Sequence, residues 1–329
     1  MKALALFSGG LDSMLAAKVI SDLGVEVLAL YIDIGFGGKS DVDALLKERA
    51  EKAGASFMKI DVRSEYLRDI LFDPKYGYGK NFNPCIDCHG YMFKVAKGLL
   101  DKFGASFIIT GEVLGQRPMS QRADAMMRVS MLAGDKEDKL ILRPLSAKLM
   151  EISTPEQEGW VEREKLHDIS GRNRQQQLAL ASKYGWEDYQ SPGGGCLLTE
   201  IHYSARIREH IRYDTFELED IEILKFGRHF RLEDGAKLVV GRDEADNASL
   251  EAIDCSKYTL FELPVIGPTS VIHNDATQRE KALAAKIAIS YAKSKKDTSY
   301  EVEIAGQTFE VTPFASKKEI EPYFFDAKQ

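Results

Sequence analysis

The sequence predicts an α/β fold, a doubly wound parallel sheet, with a second, smaller α+β domain behind it. Three observations carry this. Short apolar runs alternate with amphipathic stretches that stop at glycine. A glycine turn sits where the first run meets the first amphipathic stretch. From about Tyr213 the alternation gives way to short strands with two helices. The 329 residues fit two domains, read here as 1–210 and 213–329.

Taken in order, Ala3–Phe7 reads as a buried strand. Leu11, Met14, Leu15, Val19, Ile20 and Leu23 recur at helical spacing and stop at Gly24. Val25–Ile34 is a second strand, Asp41–Gly54 a charged amphipathic helix, and Ser56–Val62 a third strand. Tyr91–Gly104 reads as a helix and Ser106–Thr110 as a fourth strand. Repeated strand–helix units imply a parallel sheet with helices on both faces. Residues 144–174 read as capped helices around a linker-like surface, and Ser191–Cys196 as a glycine-rich loop. In the second domain, strands are expected at Ile221–Phe226, Lys237–Val240, Tyr258–Phe261, Ser270–Ile272, Tyr300–Ile304 and Thr308–Val311. Helices are expected at Glu244–Ile253 and Thr277–Lys293.

Composition excludes some classes. Lys and Arg number 44 against 51 Asp and Glu, a net charge of −7. A protein that holds nucleic acid by bulk positive charge is excluded, though a local basic patch is not. Four cysteines are too few for a disulfide-built fold and point to a reducing, cytoplasmic setting. The apolar N-terminal run stops at Ser8-Gly9-Gly10, too short for a signal peptide. No apolar stretch approaches the roughly 20 residues of a membrane helix.

The sharpest motif is Ser8-Gly9-Gly10-Leu11-Asp12-Ser13, between the first strand and first helix. There backbone N–H groups and the helix dipole converge on an anion. The glycines allow close backbone approach, and Ser8 and Ser13 offer hydroxyls. An acidic residue in such a loop is costly unless it serves a metal, so Asp12 suggests Mg²⁺ beside phosphates. The motif resembles the pyrophosphate loop of the N-type ATP pyrophosphatases. That resemblance implies an adenine-nucleotide α-hydrolase-like fold, bound ATP, and adenylation of a carbonyl oxygen. Asp33–Ser40 ends like a Walker A loop, but Asp33 stands where its first glycine is required. At the carboxyl end of the second strand, Asp33 faces the ligand crevice and is a candidate ATP contact.

Cys85 and Cys88 form a CxxC in Asn83-Pro84-Cys85-Ile86-Asp87-Cys88-His89, and Cys196 lies roughly 110 residues on. A redox dithiol needs the CxxC alone. A zinc site needs His89 as a fourth ligand. A 4Fe–4S cluster can be held by three thiolates with one iron open. Cys255 stands apart and reads as a structural thiol.

The NPCxxCH segment resembles the cysteine segment of the tRNA 2-thiouridylases, and Gly194-Gly195-Cys196-Leu197-Leu198 takes the place of their second active-site cysteine. Gly111-Glu112-Val113-Leu114-Gly115-Gln116 resembles a segment of the tRNA 4-thiouridine synthetases, as does Leu142-Arg143-Pro144-Leu145. This implies an ATP-dependent tRNA sulfurtransferase: ATP adenylates a uridine oxygen, then sulfur displaces AMP. On that reading Ser8, Gly9, Gly10, Asp12, Ser13, Gly111 and Gln116 hold the nucleotide. Cys88, Cys196 and Asp12 are catalytic. The sulfur donor is a cysteine desulfurase or sulfide. A persulfide route needs two cysteines, a cluster needs Cys85, Cys88 and Cys196 together, and the third cysteine tips the reading toward the cluster. The loop starts at residue 8, which leaves no room ahead of it for the N-terminal RNA-binding region of the 4-thiouridine synthetases.

Lys237–Leu250 resembles the strand–Gly-Arg–Asn–helix segment of the NFACT RNA-binding domain, and Pro264–Val271 its following turn and strand. This implies that residues from about 215 onward capture tRNA. Residues 201–329 hold 18 Lys and Arg against 23 Asp and Glu, so contact must come from a confined patch. Candidates are Arg172, Arg174, Arg206, Arg208 and Arg242, with Arg212, Arg228 and Arg231. The rival readings are an adenylating ligase without sulfur chemistry, a cluster-dependent thiouridine desulfidase, and a non-catalytic RNA-binding module.

Overall fold

Strands β1 (Lys2–Leu6), β2 (Glu26–Asp33), β3 (Ser56–Asp61), β4 (Phe107–Thr110) and β5 (Ile141–Leu142) form one sheet in the order β3-β2-β1-β4-β5. Every pairing is parallel, with Ala3 opposite Val27 on one side and Phe107 on the other. The computed structural model describes residues 1–38, 43–189, 195–254 and 256–325. The expectations for residues 39–42, the glycines at 193 and 194 and Cys255 lie outside them.

The central strands are apolar on both faces because both are covered. On one face Ala3, Ala5, Met14, Ile20, Val27, Phe107 and Ile109 share a core. A second core gathers Leu11, Leu15, Val113, Leu145 and Ile169. β3 is the edge strand; none of its residues SFMKID is fully buried, and it carries Lys59, which discourages further pairing. Chain order runs outward from β1 to β3, then jumps to the other side for β4 and β5. That reversal opens a crevice at the carboxyl ends of β1 and β4.

Three expectations are corrected. The helix expected from Tyr91 begins at Cys85 and runs to Gly98, with a further turn at Leu100–Phe103. Pro84 precedes it, where a missing N–H costs nothing, and Asp87 in its first turn favours the dipole. The CxxC therefore lies on a helix start. Residues 144–174 are not linker-like: Leu145, Val161, Leu166 and Ile169 are all buried in the two cores. Ile221–Phe226 is not a strand but the end of a helix, Leu218–Ile223, and the turn after it. A reciprocal cap between Glu217 and Asp220 starts that helix. The helices Ala123–Leu132, Gln175–Lys183 and Ile201–His210 were not anticipated.

The chain divides into compact units Met1–Thr199 and Glu200–Gln329, which puts Ile201–His210 with the second. In that unit β6 (Arg228–Arg231), β7 (Lys237–Val240), β8 (Tyr258–Phe261) and β9 (Ser270–His273) form an antiparallel sheet in the order β6-β7-β9-β8. β10 (Tyr300–Ile304) and β11 (Gln307–Val311) form a hairpin. The helix Gln278–Ile289, capped by Thr277 and Glu280, packs Ala284, Ile287 and Ala288 with Phe230, Leu238, Ile272 and Val302. The Gly241–Asn247 pattern is explained by packing: Asn247 Oδ1 accepts from the Thr269 N–H at 3.1 Å and sits where a side chain at 241 would go. Among the described residues, no helix is long and apolar enough to cross a membrane.

Candidate active site at the carboxyl edge of the parallel sheet

The loop after β1 opens directly into the helix Leu11–Ser21. Gly9 has φ +71° and lies against Leu46, so only glycine fits there without strain. Ser13 Oγ donates to the Gly10 carbonyl at 2.8 Å, and the Ser8 and Ser13 hydroxyls lie 3.4 Å apart. Arg49, buried on the helix Asp43–Lys52, donates to the Gly9 carbonyl at 3.2 Å and to Asp188 at 3.0 Å. It clamps the loop from behind, and sequence reasoning missed it.

Gly111, just past β4, presses on the same loop. A Cβ there would stand 2.4 Å from the Asp12 carbonyl carbon. Gln116 Nε2 donates to Asp12 Oδ2 at 2.7 Å, and Gln177 Nε2 to Gln116 Oε1 at 2.9 Å. Arg174 NH2 lies 3.5 Å from Asp12 Oδ1. Expected as an RNA contact, Arg174 sits at the phosphate loop. Asp12 Oδ1 is buried without a hydrogen bond among the described residues, with the Arg174 guanidinium beside it; a carboxylate oxygen is the ligand type a hard cation takes. Asp33 is placed at the end of β2, where Oδ1 accepts from the Gly35 N–H at 2.8 Å and Oδ2 lies 3.4 Å from Lys59.

The cysteines come together through long-range backbone ties. The Leu197 N–H donates to the Phe36 carbonyl just beyond β2 at 2.9 Å, and Asn81 Nδ2 donates to the Thr199 carbonyl at 2.5 Å. Thus the Cys196 segment is stitched to both the sheet edge and the approach to the CxxC. Asn83 Nδ2 donates to Cys85 Sγ at 3.2 Å. Asp87, between the cysteines, accepts from the Lys75 and Tyr76 N–H groups at 2.8 and 3.0 Å. Burial pushes the Cys88 thiol far up; the charges of Cys196 and Cys85 push the same way, and a hydrogen bond with buried Tyr66 opposes them. Burial pushes Cys196 up to about 11, with Cys85 adding and backbone N–H groups and Arg117 opposing. Cys88 and Cys196 both resist ionising, and thiolates of this kind are the soft donors of a metal-thiolate site, where a cation favours the ionised form. Among the described residues, no group of three or more Cys, His, Asp or Glu is already gathered to hold a metal ion.

His89 links the two halves. Its Nδ1 lies 2.9 Å from Glu112 Oε1, and Arg143 Nε donates to Glu112 Oε2 at 3.0 Å. Burial tends to raise the Glu112 pKa, but Arg143 and His89 outweigh it and hold it below the usual range. Glu112 follows Gly111 and His89 follows Cys88, so one buried carboxylate joins the phosphate loop to the thiols.

Arg172 and Arg208 are exposed. Arg206 donates to the Leu224 carbonyl, and burial lowers its pKa to about 10. Arg242 is paired with Asp246.

Residues 1–152 match the family model described as "Thiamine biosynthesis protein (ThiI)". Residues 227–324 match the model described as "NFACT protein RNA binding domain". The chain aligns with a probable tRNA sulfurtransferase of Thermococcus kodakarensis at 33% identity, over 44% of this chain and 36% of that one. A tRNA-specific 2-thiouridylase of Helicobacter hepaticus is 30% identical over 46% of this chain and 48% of its own length. For a Clostridium botulinum 2-thiouridylase the match is 30%, over 33% of each chain. The chain thus spans about a third to a half of the length of these curated relatives. A 4-thiouridine synthetase–RNA complex with bound ATP superposes with a TM-score of 0.35 at 20% identity, over 56% of this chain and 49% of that one.

Proposed function

We propose that this chain thiolates a tRNA uridine at the expense of ATP, in a reducing, cytoplasmic compartment. The observation that supports the proposal is the pair of ties that bring the Cys196 segment to the end of β2 and to the approach to the CxxC, on the sheet edge that carries the Ser8–Ser13 loop. A pure adenylating ligase has no use for that gathering, and a desulfidase has no use for the loop.

The chain's own groups divide the work. Backbone N–H groups after β1 and the hydroxyls of Ser8 and Ser13 receive the phosphates. Asp12 Oδ1 would hold Mg²⁺, which supplies charge neutralisation at the leaving pyrophosphate. The uridine carbonyl oxygen attacks the α-phosphorus, the bond to the β-phosphate breaks, and pyrophosphate leaves. Sulfur then bonds to the activated carbon and AMP departs. His89, braced by Glu112, is the group placed to move a proton between these steps.

For the sulfur carrier, the raised thiols favour the cluster over a free persulfide. A thiol of pKa 11 is about one part in ten thousand thiolate at pH 7, so Cys196 is a poor unaided nucleophile. A 4Fe–4S cluster on Cys85, Cys88 and Cys196 would supply an open iron for sulfide and keep all three thiols ionised. Sulfide is the donor that balances this step; a cysteine desulfurase would supply it only together with a two-electron thiol reductant that converts its persulfide sulfur to sulfide.

The test is anaerobic reconstitution with iron and sulfide, read by visible absorption and by thiolation of tRNA. Cys85→Ala, Cys88→Ala and Cys196→Ala should each lose the absorption and the thiolation while still binding ATP. Iron-free Cys85→Ala protein that thiolates tRNA would sink the cluster. Normal thiolation by Cys196→Ala would sink sulfur transfer itself.

A further inference from the structure

The second unit has a cleft of about 210 Å³ that the proposed reaction does not use. It opens beside the end of the helix Ile201–His210, the β6–β7 turn and the segment after β9. His210, Tyr213, Asp214, Arg231, Lys237 and His273 line it. His210, Tyr213 and Asp214 lie ahead of the segment matched by the NFACT model.

Four side chains that line it, His210, Asp214, Arg231 and His273, carry buried atoms without a hydrogen bond among the described residues, and two of them matter here. His210 is fully buried, and its Nδ1 has no hydrogen bond among the described residues. Its Nε2 is anchored 3.3 Å from Asp220. Arg231 pairs through Nε with Glu209 at 2.5 Å and through NH1 with the Gly235 carbonyl at 2.7 Å, but NH2 is buried and unbonded. Buried polar groups are nearly always satisfied, so such a pair in one cleft marks where a ligand's polar edge belongs.

Charge decides the ligand class. The lining holds Asp214, Asp234, Asp275 and Glu280 against Arg231 and Lys237. Both cations are already paired with Glu209. A free phosphate is therefore disfavoured. A neutral group with both donors and acceptors suits Arg231, the imidazoles and the carboxylates. A flat surface is also present: Tyr213 is 57% exposed, and the Arg231 guanidinium lies 4.3 Å from its ring centre. The volume is below that of ordinary drug-sized pockets, enough for one ring system.

We infer that this cleft takes a single unstacked nucleobase of an RNA strand, stacked on Tyr213 with its polar edge toward Arg231 and His210. Stacking on an aromatic or guanidinium plane with edge hydrogen bonds is how proteins read unpaired bases. The inference deepens the RNA part of the proposed function and rests on it.

The experiment uses the full chain and a short single-stranded RNA carrying 2-aminopurine. Wild-type protein should quench its fluorescence on binding. Tyr213→Ala should bind roughly tenfold more weakly and quench little, as expected for loss of one stacked base. Tyr213→Trp should restore both, and the salt dependence should be the same in all three. Unchanged binding and quenching in Tyr213→Ala overturns the inference. So does displacement of the RNA by millimolar inorganic phosphate, which would mark an anion site. The assay contains no ATP and reads no thiolation, so its failure leaves the reaction to be judged separately, and the converse holds.

Discussion

Gly111 has no side chain, yet the packing of the candidate phosphate loop depends on it. Its backbone sits where a Cβ would collide with the Asp12 backbone. Gly111→Ala must push the phosphate loop away or move β4. Overpacking of this kind costs about 1–3 kcal/mol, and ATP affinity, measured by calorimetry, should fall about tenfold or more. Glu112 makes a second prediction. Its folded pKa is depressed below the ordinary 4.5 by Arg143 and His89, against burial. Its contribution is therefore fully present above about pH 4.5 and is lost as pH falls through the depressed folded value. Urea unfolding of Glu112→Gln should show a flatter loss of stability in that acid window. At pH 7 the variant should be less stable by about 3–5 kcal/mol, because Arg143 is left buried without its partner.

Element by element, the sequence was most legible where the signal was local. The loop after β1, the strand alternation and the Gly111–Gln116 segment were read from a few adjacent residues, and the structure brings Gly111 and Gln116 onto Asp12. The start of the CxxC helix was misplaced because Asp87 and Pro84 look like loop residues. Asp87 instead reaches back to the Lys75 and Tyr76 N–H groups. That contact predicts a phenotype for the element. Asp87→Ala should release residues 75–84 and speed alkylation of buried Cys88 by about tenfold or more, since two hydrogen bonds to a charged acceptor are lost. Unchanged maleimide labelling would show that the segment is held elsewhere. β6 escaped notice because arginines flank His229 and Phe230 and mask the alternation. Arg49, Tyr66, Gln177 and the Glu112–His89–Arg143 chain were invisible for another reason. Each acts through partners far away in sequence, and no spacing rule encodes them.

For the whole molecule, the charge of −7 sets a measurable limit. RNA binding cannot draw on many phosphate contacts when acidic residues outnumber basic ones and Arg206 and Arg242 are already engaged. A patch of about four cations on a single strand gives a log–log salt slope near −3. A titration between low and moderate salt should return that value or a shallower one; a slope twice as steep would mean a basic surface that the sequence does not supply.

The tie from Leu197 to Phe36 also has a consequence for the order in which this protein matures on the ribosome. The sheet is complete once Leu142 has emerged, and the CxxC is already in place on its helix. Cys196 arrives more than fifty residues later. A nascent chain can therefore complete its parallel sheet while the Cys196 segment is still to be made. The synthesis of residues 196–199 adds that segment just before the second unit begins. On the proposed function, sulfur transfer would wait until translation has reached the second unit.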